Sequence, residues 1–446
     1  SALCGLAPTL PLLVFCRVLQ GVGGGGLAPS EQAILADTFP PEKRGQAFAM
    51  YGLAVVCAPA IGPTLGGYIT DNFDWRWIFY LNVPICILSL FLVSRIVEDP
   101  PYVKEQVKKT QKEGIKLDFI GFALLGLTFG SLEFVLDKGQ EDDWFGSKLI
   151  TFFIVTMVVA FVSMIWWELK ELREGKRPIL NLTLFKRRQF AISFMLMFVL
   201  GFALYGTTIL IPQFVQTLLG YTAELAGLVL SPAGFMMMAM MPVVGFLSGK
   251  IDPRKLIGYG FFMLTASLMY MAQLNLQLSY GQLVFMRIFQ ASGLAFLFIP
   301  INTIAYVGVK QSENNDVSGL TNLARNIGGS CGTAFMATML TRKIAAHEST
   351  MTRNLQSGNP GFNAQVGKMA GIFKPGNGTG TPGGPMGGAS HGAIHQAQAF
   401  FYNQMHRQAS TLAYVDIIRD LTIFCACMIP LLFFIPRPPK GAQGGH

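Results

Sequence analysis

Residues 13–23 read LVFCRVLQGVG, and residues 283–293 read LVFMRIFQASG. The two stretches share the pattern L-V-F-x-R-x-x-Q-x-x-G, in which an arginine and a glutamine stand within apolar surroundings. Chance similarity between apolar segments does not account for a shared arginine and a shared glutamine. The pattern therefore indicates an internal repeat, so the chain contains two related structural units.

The composition identifies the class of protein that carries this repeat. Of the 446 residues, 51% are hydrophobic and 13% are charged, and the mean hydropathy is +0.44. Soluble proteins contain roughly 25% charged residues, so this chain cannot cover a water-facing surface. Many stretches of about 20 residues are nearly free of charge, which is the length that crosses a bilayer as a helix. We predict an all-α, polytopic membrane bundle and exclude a soluble enzyme, a nucleic-acid-binding protein and a secreted disulfide scaffold.

Eleven full spans are predicted from the apolar runs. They cover residues 11–38, 45–70, 75–97, 118–137, 148–168, 190–217, 224–248, 255–273, 281–308, 317–341 and 413–435. Residues 1–10 resemble the tail of an earlier span. Both copies of the repeat lie in spans predicted to run from outside to inside, which indicates parallel repeats related by an axis along the membrane normal.

The net charge of +9 comes from cations that cluster in one alternate set of loops. The short loops of the other set carry only Arg76, Lys138 and Lys148. Cytoplasmic loops hold an excess of lysine and arginine, so we assign the basic set and the C-terminus to the cytoplasm. The cations are thus topology signals, and no nucleic-acid partner is predicted.

The loops and spans divide the chain into predicted segments. Residues 1–97 belong to the first half of the bundle, 118–168 form two spans between the halves, and 190–341 form the first five spans of the second half. The remaining predicted segments are a basic cytoplasmic linker at 98–117, a second linker at 169–189, a long extracytoplasmic loop at 342–412, the last span at 413–435 and a cytoplasmic tail at 436–446.

The long loop has a distinct composition. Residues 371–388 are rich in Gly, Pro, Asn and Thr, which predicts an unstructured middle. The flanking residues, 393–411 for example, are predicted to be helical.

Arg17, Arg287 and Arg325 lie inside apolar spans. A charge in that position is costly and marks a functional site by default. The alternative is a structural arginine that locks neighbouring helices together. Gln20 shares the helix face of Arg17 because it lies one turn later.

Three carboxyl groups lie within or at the ends of spans, namely Glu31, Glu133 and Asp416. A proton-coupled carrier needs a carboxyl that changes its protonation, and an apolar site favours such a change near neutral pH. Glu31 lies about 21 Å beyond Arg17 along a helix, so the two residues do not pair directly. For Glu133 and Asp416 the alternative is a solvated carboxylate at the membrane interface.

Small residues are concentrated at 62–67, which read GPTLGG and include Gly62, Pro63, Gly66 and Gly67. Small residues permit close helix approach, and Pro63 removes a backbone hydrogen bond. The segment therefore predicts either a gate between helices or tight packing alone.

Patterns of nucleotide and metal sites are weak in this chain. Residues 21–26 match G-x-G-x-x-G but lie inside a span, so they do not predict a dinucleotide site. No G-x-x-x-x-G-K-[ST] sequence occurs, so we predict no cofactor and expect an ion gradient to drive any work. His391 and His395 have helical ligand spacing without further ligands nearby, and no metal site is predicted.

These segments together resemble a known family. Residues 17–21 (RVLQG) are similar to motif B of the major facilitator superfamily, and 61–67 resemble its motif C, the antiporter motif. Residues 75–84 (WRWIFYLNVP) are similar to a stretch of the fourteen-span drug:proton antiporters. Residues 245–255 (GFLSGKIDPRK) resemble a degenerate motif A, with Gly245, Asp252 and Arg254 at matching positions.

Further similarities lie at 136–145 (LDKGQEDDWF), 325–330 (RNIGGS) and 413–416 (AYVD). Together with the long loop before the last span, they resemble EmrB-type multidrug exporters of Gram-negative bacteria. The resemblance implies a major facilitator fold with two extra central spans. It also implies proton-coupled export of hydrophobic or amphipathic drugs by alternating access, at the inner membrane.

The resemblance implies partners as well. The long loop would face the periplasm and bind a membrane-fusion adaptor, which in turn meets an outer-membrane channel. Two alternatives remain: a fourteen-span carrier for another cargo, such as a siderophore, peptide or metabolite, and a membrane-embedded enzyme or scaffold. The spans offer no nucleophile–base pair for an enzyme.

Aligned with that family, the chain begins at the end of the third span. The family's first-span acid then has no counterpart here, and Glu31 matches none of the motifs. We expect the 446-residue chain alone not to transport. We expect rescue when about 90 upstream residues, three spans with their loops, are present.

Overall fold

The computed structural model describes residues 1–40, 43–97, 118–176, 178–310, 313–353, 359–372 and 391–430. Regular structure in these ranges is helical, which confirms the all-α prediction. Two short 3-10 turns, Trp144–Gly146 and Leu182–Lys186, accompany the α-helices. The α-helices are α1 (Ala2–Leu6), α2 (Leu10–Gly24), α3 (Leu27–Thr38), α4 (Arg44–Asn72), α5 (Trp77–Tyr80), α6 (Asn82–Ile96), α7 (Phe119–Lys138), α8 (Lys148–Arg173), α9 (Arg188–Leu218), α10 (Ala223–Ser248), α11 (Pro253–Met271), α12 (Tyr280–Ala305), α13 (Asn314–Thr352), α14 (Pro360–Ile372) and α15 (His391–Met428).

Side-chain caps fix the start of several helices. Asp118 accepts a hydrogen bond from the backbone of Gly121 at 2.8 Å at the start of α7. Ser279 and Gln282 form a reciprocal capping box at the start of α12. Such caps satisfy backbone N–H groups that have no partner within the helix. Polar residues thus mark the helix starts that the apolar runs alone leave imprecise.

Membrane crossing follows from helix length and apolar content. Within the described ranges, seven helical segments are long and apolar enough to cross a bilayer. They are Leu10–Thr38, Trp77–Ile96, Phe119–Lys138, Lys148–Arg173, Arg188–Leu218, Ala223–Ser248 and Tyr280–Ala305. The other four predicted spans are also helical, as α4, α11, α13 and α15.

The structure corrects the extent of several predicted spans. The span at 11–38 is two helices, α2 and α3, with a break at Gly25 and Gly26. The last two spans belong to much longer helices, because α13 continues to Thr352 and α15 begins at His391. The flank at 393–411 is therefore helical, as predicted. Most of the Gly/Pro-rich middle of the loop, the linker at 98–117 and the tail at 436–446 lie outside the described residues.

The buried core lies between the two halves and within the second half. Helix α4 of the first half packs along α10 and also touches α12, while α3 packs on α13. Within the second half, α9 packs on α13 and α11 on α12. The extra helices α7 and α8 form a hairpin that contacts α13 through α7. Helix α14 packs on α15 through a small separate core of Val366, Ala370, Ala393 and Ala397.

Candidate functional site

A cavity of about 140 Å³ lies midway along the helices where the two halves meet. Five helices, α4, α9, α10, α12 and α13, contribute to its wall, which is mostly apolar. The lining residues are Val55, Leu204, Tyr205, Thr208, Leu230, Ala233, Gly234, Met237, Arg287, Gln290, Ala291, Leu294, Phe298 and Arg325. An apolar pocket with a few convergent polar groups is the usual form of a small-molecule site. The structure thus brings together two of the predicted arginines, Arg287 and Arg325.

Arg287 is held by a polar chain within α12 and α9. Its side chain is 7% exposed, and Nη1 donates to Oε1 of Gln290. Nε2 of Gln290 donates to the hydroxyl of Thr207 at 3.0 Å, and that hydroxyl donates to the carbonyl of Ala203 at 2.8 Å. The Nε of Arg287 is buried and has no hydrogen-bond partner among the described residues. This series of hydrogen bonds fixes the guanidinium at the cavity wall and leaves its Nε–H without an acceptor among the described residues.

Arg325 is held by a second polar chain that crosses between the halves. It is 8% exposed, and its Nη2 donates to Oδ1 of Asn322 at 2.6 Å. Nδ2 of Asn322 donates to Oε1 of Gln32 on α3 at 2.8 Å. The guanidinium also lies 5.9 Å from the centre of the Phe298 ring, which is within the range of a cation–π contact. Its Nε too is buried and has no partner in the described part of the chain.

Neither buried arginine forms an ion pair with an acid among the described residues. Among the described residues, no carboxylate oxygen lies within 4.0 Å of a nitrogen of Arg287 or Arg325. Their hydrogen-bond partners, Gln290 and Asn322, are neutral amides. The cavity wall is therefore positively charged.

Arg17 has the local geometry that the repeat predicts but a different environment. Its Nη1 donates to Oε1 of Gln20 at 3.1 Å, as Arg287 does to Gln290. Gln20 in turn donates to the hydroxyl of Ser1 at 2.7 Å. Arg17 is exposed, lies 4.6 Å from the centre of the Phe79 ring and does not line the cavity.

The predicted acids do not meet at the cavity. Glu31 is exposed on α3, next to the buried Gln32, and takes part in no ion pair within the described ranges. Glu133 is exposed on α7 and lines a separate cleft, which also contains Tyr205 of the cavity wall. Oδ2 of Asp416 lies 2.9 Å from Nε2 of His347, so it joins α15 to the part of α13 beyond residue 341.

The GPTLGG segment differs from its predicted packing. A Cβ added at Gly62 or Gly66 would meet no atom within 4 Å, so these glycines permit no close contact among the described residues. Gly67 does permit a close contact, because a Cβ added there would lie 3.1 Å from the carbonyl carbon of Ala223. Pro63 lies within α4, and the structure does not describe its side chain. Among the glycines of this segment, Gly67 is therefore the one that packs closely against α10 in the described structure.

The hydroxyl of Thr64 supplies a polar contact in the same segment. It lies 2.6 Å from the hydroxyl of Ser231 on α10.

The degenerate motif A contributes to the contact between the halves. A Cβ added at Gly245 would lie only 2.5 Å from Cβ of Ala49, so the glycine lets α10 approach α4 closely. Asp252 caps α11 by accepting from the backbone of Arg254 at 3.0 Å. Arg254 keeps Nε and Nη2 buried without a partner among the described residues. These residues lie at the ends of α10 and α11, away from the cavity.

Most lining residues of the cavity were not predicted from the sequence, and among the groups that contact the two arginines or their partners the same holds for Gln32, Asn322, Thr207 and Phe298. Asn322 had a usable signal, because it lies one helical turn before Arg325, as Gln290 lies one turn after Arg287. Gln32 and Thr207 had none, since their partners are far away in the sequence.

Comparison with known proteins agrees with this architecture. The family described as Major Facilitator Superfamily matches residues 1–333. The multidrug export protein EmrB of Escherichia coli strain K12 is 31% identical over 443 residues, which cover 99% of this chain and 80% of that protein. The fatty acid resistance protein FarB of Neisseria gonorrhoeae is 30% identical, with 100% and 82% covered. The colistin resistance protein EmrB of Acinetobacter baumannii is 28% identical, with 99% and 81% covered.

The match covers most of the chain, and the EmrB relatives align with it over nearly its whole length. Apolar helices of membrane-spanning length and a cavity between two helical halves are what a transporter of this kind requires. The chain belongs to the Major Facilitator Superfamily, within its EmrB-type multidrug exporters.

Proposed function

We propose that this drug transporter exports hydrophobic or amphipathic compounds in exchange for protons, by alternating access to the central cavity. The observation that carries the proposal is the mostly apolar cavity midway along the helices, at the junction of the two halves. In transporters with repeated halves, cargo binds near the membrane midplane and the halves rock around it. The names of the relatives refer to multiple drugs, fatty acid and colistin, compounds that differ widely in charge.

The contact between the halves has the properties that rocking needs. Along α4 and α10 it includes close approaches at small residues, from Gly45 beside Ser248 to Gly67 beside Ala223. Small residues let helices pack closely through van der Waals contact. Neutral hydrogen bonds also cross the contact, such as the one between the hydroxyls of Thr64 and Ser231. Breaking such a bond costs little free energy when both groups find other partners. We infer that this contact closes and opens during transport.

The energy source in this proposal is the proton gradient, and no bound cofactor takes part. Glu31, Glu133 and Asp416 remain candidates for the carboxyl that carries the proton. Asp37 joins them, because its Oδ1 accepts from Nδ2 of Asn314 at 2.7 Å across the two halves. Protonation of a carboxyl that bridges the halves would weaken that bond and favour their separation.

A transport assay in proteoliposomes tests coupling directly. With an acidic interior imposed, we expect the chain together with the upstream spans that the family resemblance implies to accumulate Nile Red, used as an uncharged amphipathic probe, inside the vesicles. Nigericin, which collapses the pH gradient, should abolish accumulation, whereas ATP should have no effect. Equal accumulation with and without the gradient would overturn proton coupling. Vesicles without protein correct for passive entry.

We also propose that the C-terminus is cytoplasmic and that the protein spans the bacterial inner membrane, with its long loop in the periplasm. The positively charged loops support this orientation. The outer helical module, defined here as the part of α13 after residue 341, α14 and α15 up to residue 412, then faces the periplasm. Its length and its own small core make it suited to bind a membrane-fusion adaptor.

The module offers a matched pair of variants. Val366 is fully buried between α14 and α15, whereas Gln365 beside it is exposed. Val366→Asp should detach α14 and reduce crosslinking to the adaptor, and Gln365→Asp should not. Membrane insertion should be normal in both variants. Undiminished crosslinking of Val366→Asp would contradict a role for α14, and recovery of no adaptor from a Gram-negative host would contradict the partner.

A further inference from the structure

The charge of the central cavity is unusual for a site that accepts apolar molecules. Arg287 and Arg325 both line it, and both side chains are more than nine-tenths buried. Each guanidinium is bonded to one neutral amide, Gln290 or Asn322, and each retains a buried Nε–H without an acceptor among the described residues. Buried charges are ordinarily paired with an opposite charge, because desolvation alone makes them unfavourable.

Two acids of α3, in the described ranges, form no ion pair with either arginine. Glu31 is exposed and forms no ion pair, although Gln32 next to it reaches Asn322. Asp37 is bonded to Asn314 on another part of the contact between the halves. Phe298 lies over Arg325 and partly offsets its charge, but an aromatic face does not accept the in-plane Nε–H.

The remaining wall fits the apolar part of a cargo molecule. Leu230, Met237, Leu294 and Phe298 line the same cavity as the arginines. Methionine adapts its shape to different apolar partners, so the wall suits aliphatic chains and rings alike. The cavity therefore combines an apolar surface with two guanidinium groups that have donors to spare.

We propose that this cavity selects amphiphiles with an anionic head group, a carboxylate in particular, which Arg287 and Arg325 bind together. The inference rests on the proposed function, since it names the cargo class of the same site. A carboxylate accepts several hydrogen bonds in one plane, which matches the planar fork of arginine. A cationic head group would lie beside two like charges and find no acid in the described part of the wall.

Three probes with the same twelve-carbon chain isolate the head group: dodecanoate, dodecanol and dodecyltrimethylammonium. Binding of each to the purified full chain in amphipol is measured at equilibrium by isothermal titration. We expect dodecanoate to bind at least about tenfold more tightly than either other probe, since hydrogen bonds to charged groups are the stronger kind. Equal affinity for the three probes would overturn the inference.

Substitutions assign the effect to the two arginines. Arg287→Gln and Arg325→Gln should each weaken dodecanoate binding about tenfold or more and leave dodecanol binding within about twofold. Arg287→Lys and Arg325→Lys keep the charge but lose the fork, so we expect intermediate affinities. The matched control is Arg173→Gln, an exposed arginine at the end of α8. Wild-type dodecanoate affinity in both Gln variants would also overturn the inference.

The binding assay separates this inference from proton coupling. If the wild type prefers dodecanoate but fails to accumulate the uncharged probe Nile Red under a pH gradient, the inference stands and the proposed mechanism of transport fails. If coupled transport is observed without a preference for dodecanoate, the mechanism stands and the inference fails. Gel filtration of each variant shows whether it is folded. If a Gln variant is not folded, dodecanoate binding by the two Lys variants tests the role of the arginines instead.

Discussion

Nδ2 of Asn322 lies 2.8 Å from Oε1 of Gln32, and this bond joins α13 of the second half to α3 of the first. Both side chains are buried, and Asn322 also holds the guanidinium of Arg325 at 2.6 Å. The contact between the halves and the cavity wall thus share one residue. Movement of α3 relative to α13 would therefore change the position of Arg325.

Gln32→Ala tests this link without altering Arg325 or Asn322 directly. The variant leaves Nδ2 of Asn322 with its bond to the carbonyl of Ser318 only, at 2.9 Å. We expect a loss of about 0.5–1.5 kcal/mol of stability, the net value of one such bond. We also expect weaker cargo binding, because Arg325 is held less firmly. Thermal unfolding and equilibrium binding measure the two effects.

The control for this prediction is Gln277→Ala, at an exposed position between α11 and α12. It should change neither quantity. Unchanged cargo affinity in Gln32→Ala would show that the bond between the halves does not position Arg325.

Close approach of α4 and α10 gives a second prediction. A Cβ at Gly245 would lie 2.5 Å from Cβ of Ala49, whereas a Cβ at Gly62 would meet no atom of the described residues within 4 Å. Gly245→Val should therefore force the halves apart and reduce drug export severely. Gly62→Val, the matched control in the other helix, should leave it close to wild type on steric grounds. Export rates in cells with equal amounts of inserted protein provide the measurement.

Lower drug export in Gly62→Val than in Gly245→Val would contradict the close packing of α4 and α10 at Gly245. It would favour a role of Gly62 in the gate between helices. The resemblance to the antiporter motif suggests that role, whereas the open surroundings of Gly62 in the described structure do not. Gly67→Val offers an independent check, because its added atoms would press against the backbone at Ala223.

Comparison of the sequence with the structure shows which features local patterns determine. The repeat predicted that Arg17 and Arg287 have the same setting, and the bond from arginine to the glutamine one turn later is present in both. That bond depends only on helical spacing. The apolar runs likewise predicted where the spans are, because they report directly on transfer into lipid.

Features that depend on distant partners were not predictable in this way. Gln32 and Asn322 meet only because α3 packs on α13, and no local signal marks such a pair. The extensions of α13 after residue 341 and of α15 before residue 413 lack an apolar run, so hydropathy ended the first span too early and began the second too late. A polar pair, His406 of α15 with Glu348 of α13, joins these two extensions instead. The small residues at 62–67 suggested close packing at Gly62, but composition does not specify which helix, if any, lies beside that position.

The contact of α9 with α13 yields a third prediction. An added Cβ at Gly328 would lie 2.1 Å from the carbonyl oxygen of Phe198, so the two backbones nearly touch. Because backbone cannot move aside as a side chain can, Gly328→Ala should destabilise the protein by about 1–3 kcal/mol, the usual cost of overpacking. At Gly319 in the same helix an added Cβ would meet nothing within 4 Å among the described residues, so Gly319→Ala should stabilise the protein by about 0.5–1 kcal/mol, the helix preference for alanine. Thermal unfolding of the two purified variants checks the difference.

The hydroxyl of Thr207 supports the last prediction. It accepts from Nε2 of Gln290 at 3.0 Å, and Gln290 accepts from Arg287 through its other side-chain atom. Thr207 is fully buried, so removal of its hydroxyl leaves a buried N–H of Gln290 without an acceptor. Thr207→Val preserves the shape of the side chain, and we expect it to cost about 1–3 kcal/mol, the desolvation penalty of an unpaired buried group. Thr207→Ser keeps the hydroxyl and should cost less, although it removes one methyl group.

Cargo binding distinguishes a positioning role of Thr207 from a purely structural one. If the polar chain fixes Arg287, Thr207→Val should weaken binding of dodecanoate more than binding of dodecanol, and Thr207→Ser should restore the difference. A structural defect alone would reduce both affinities equally. An equal loss for both probes in Thr207→Val would therefore show that Arg287 keeps its position at the cavity wall without the bond from Gln290 to Thr207.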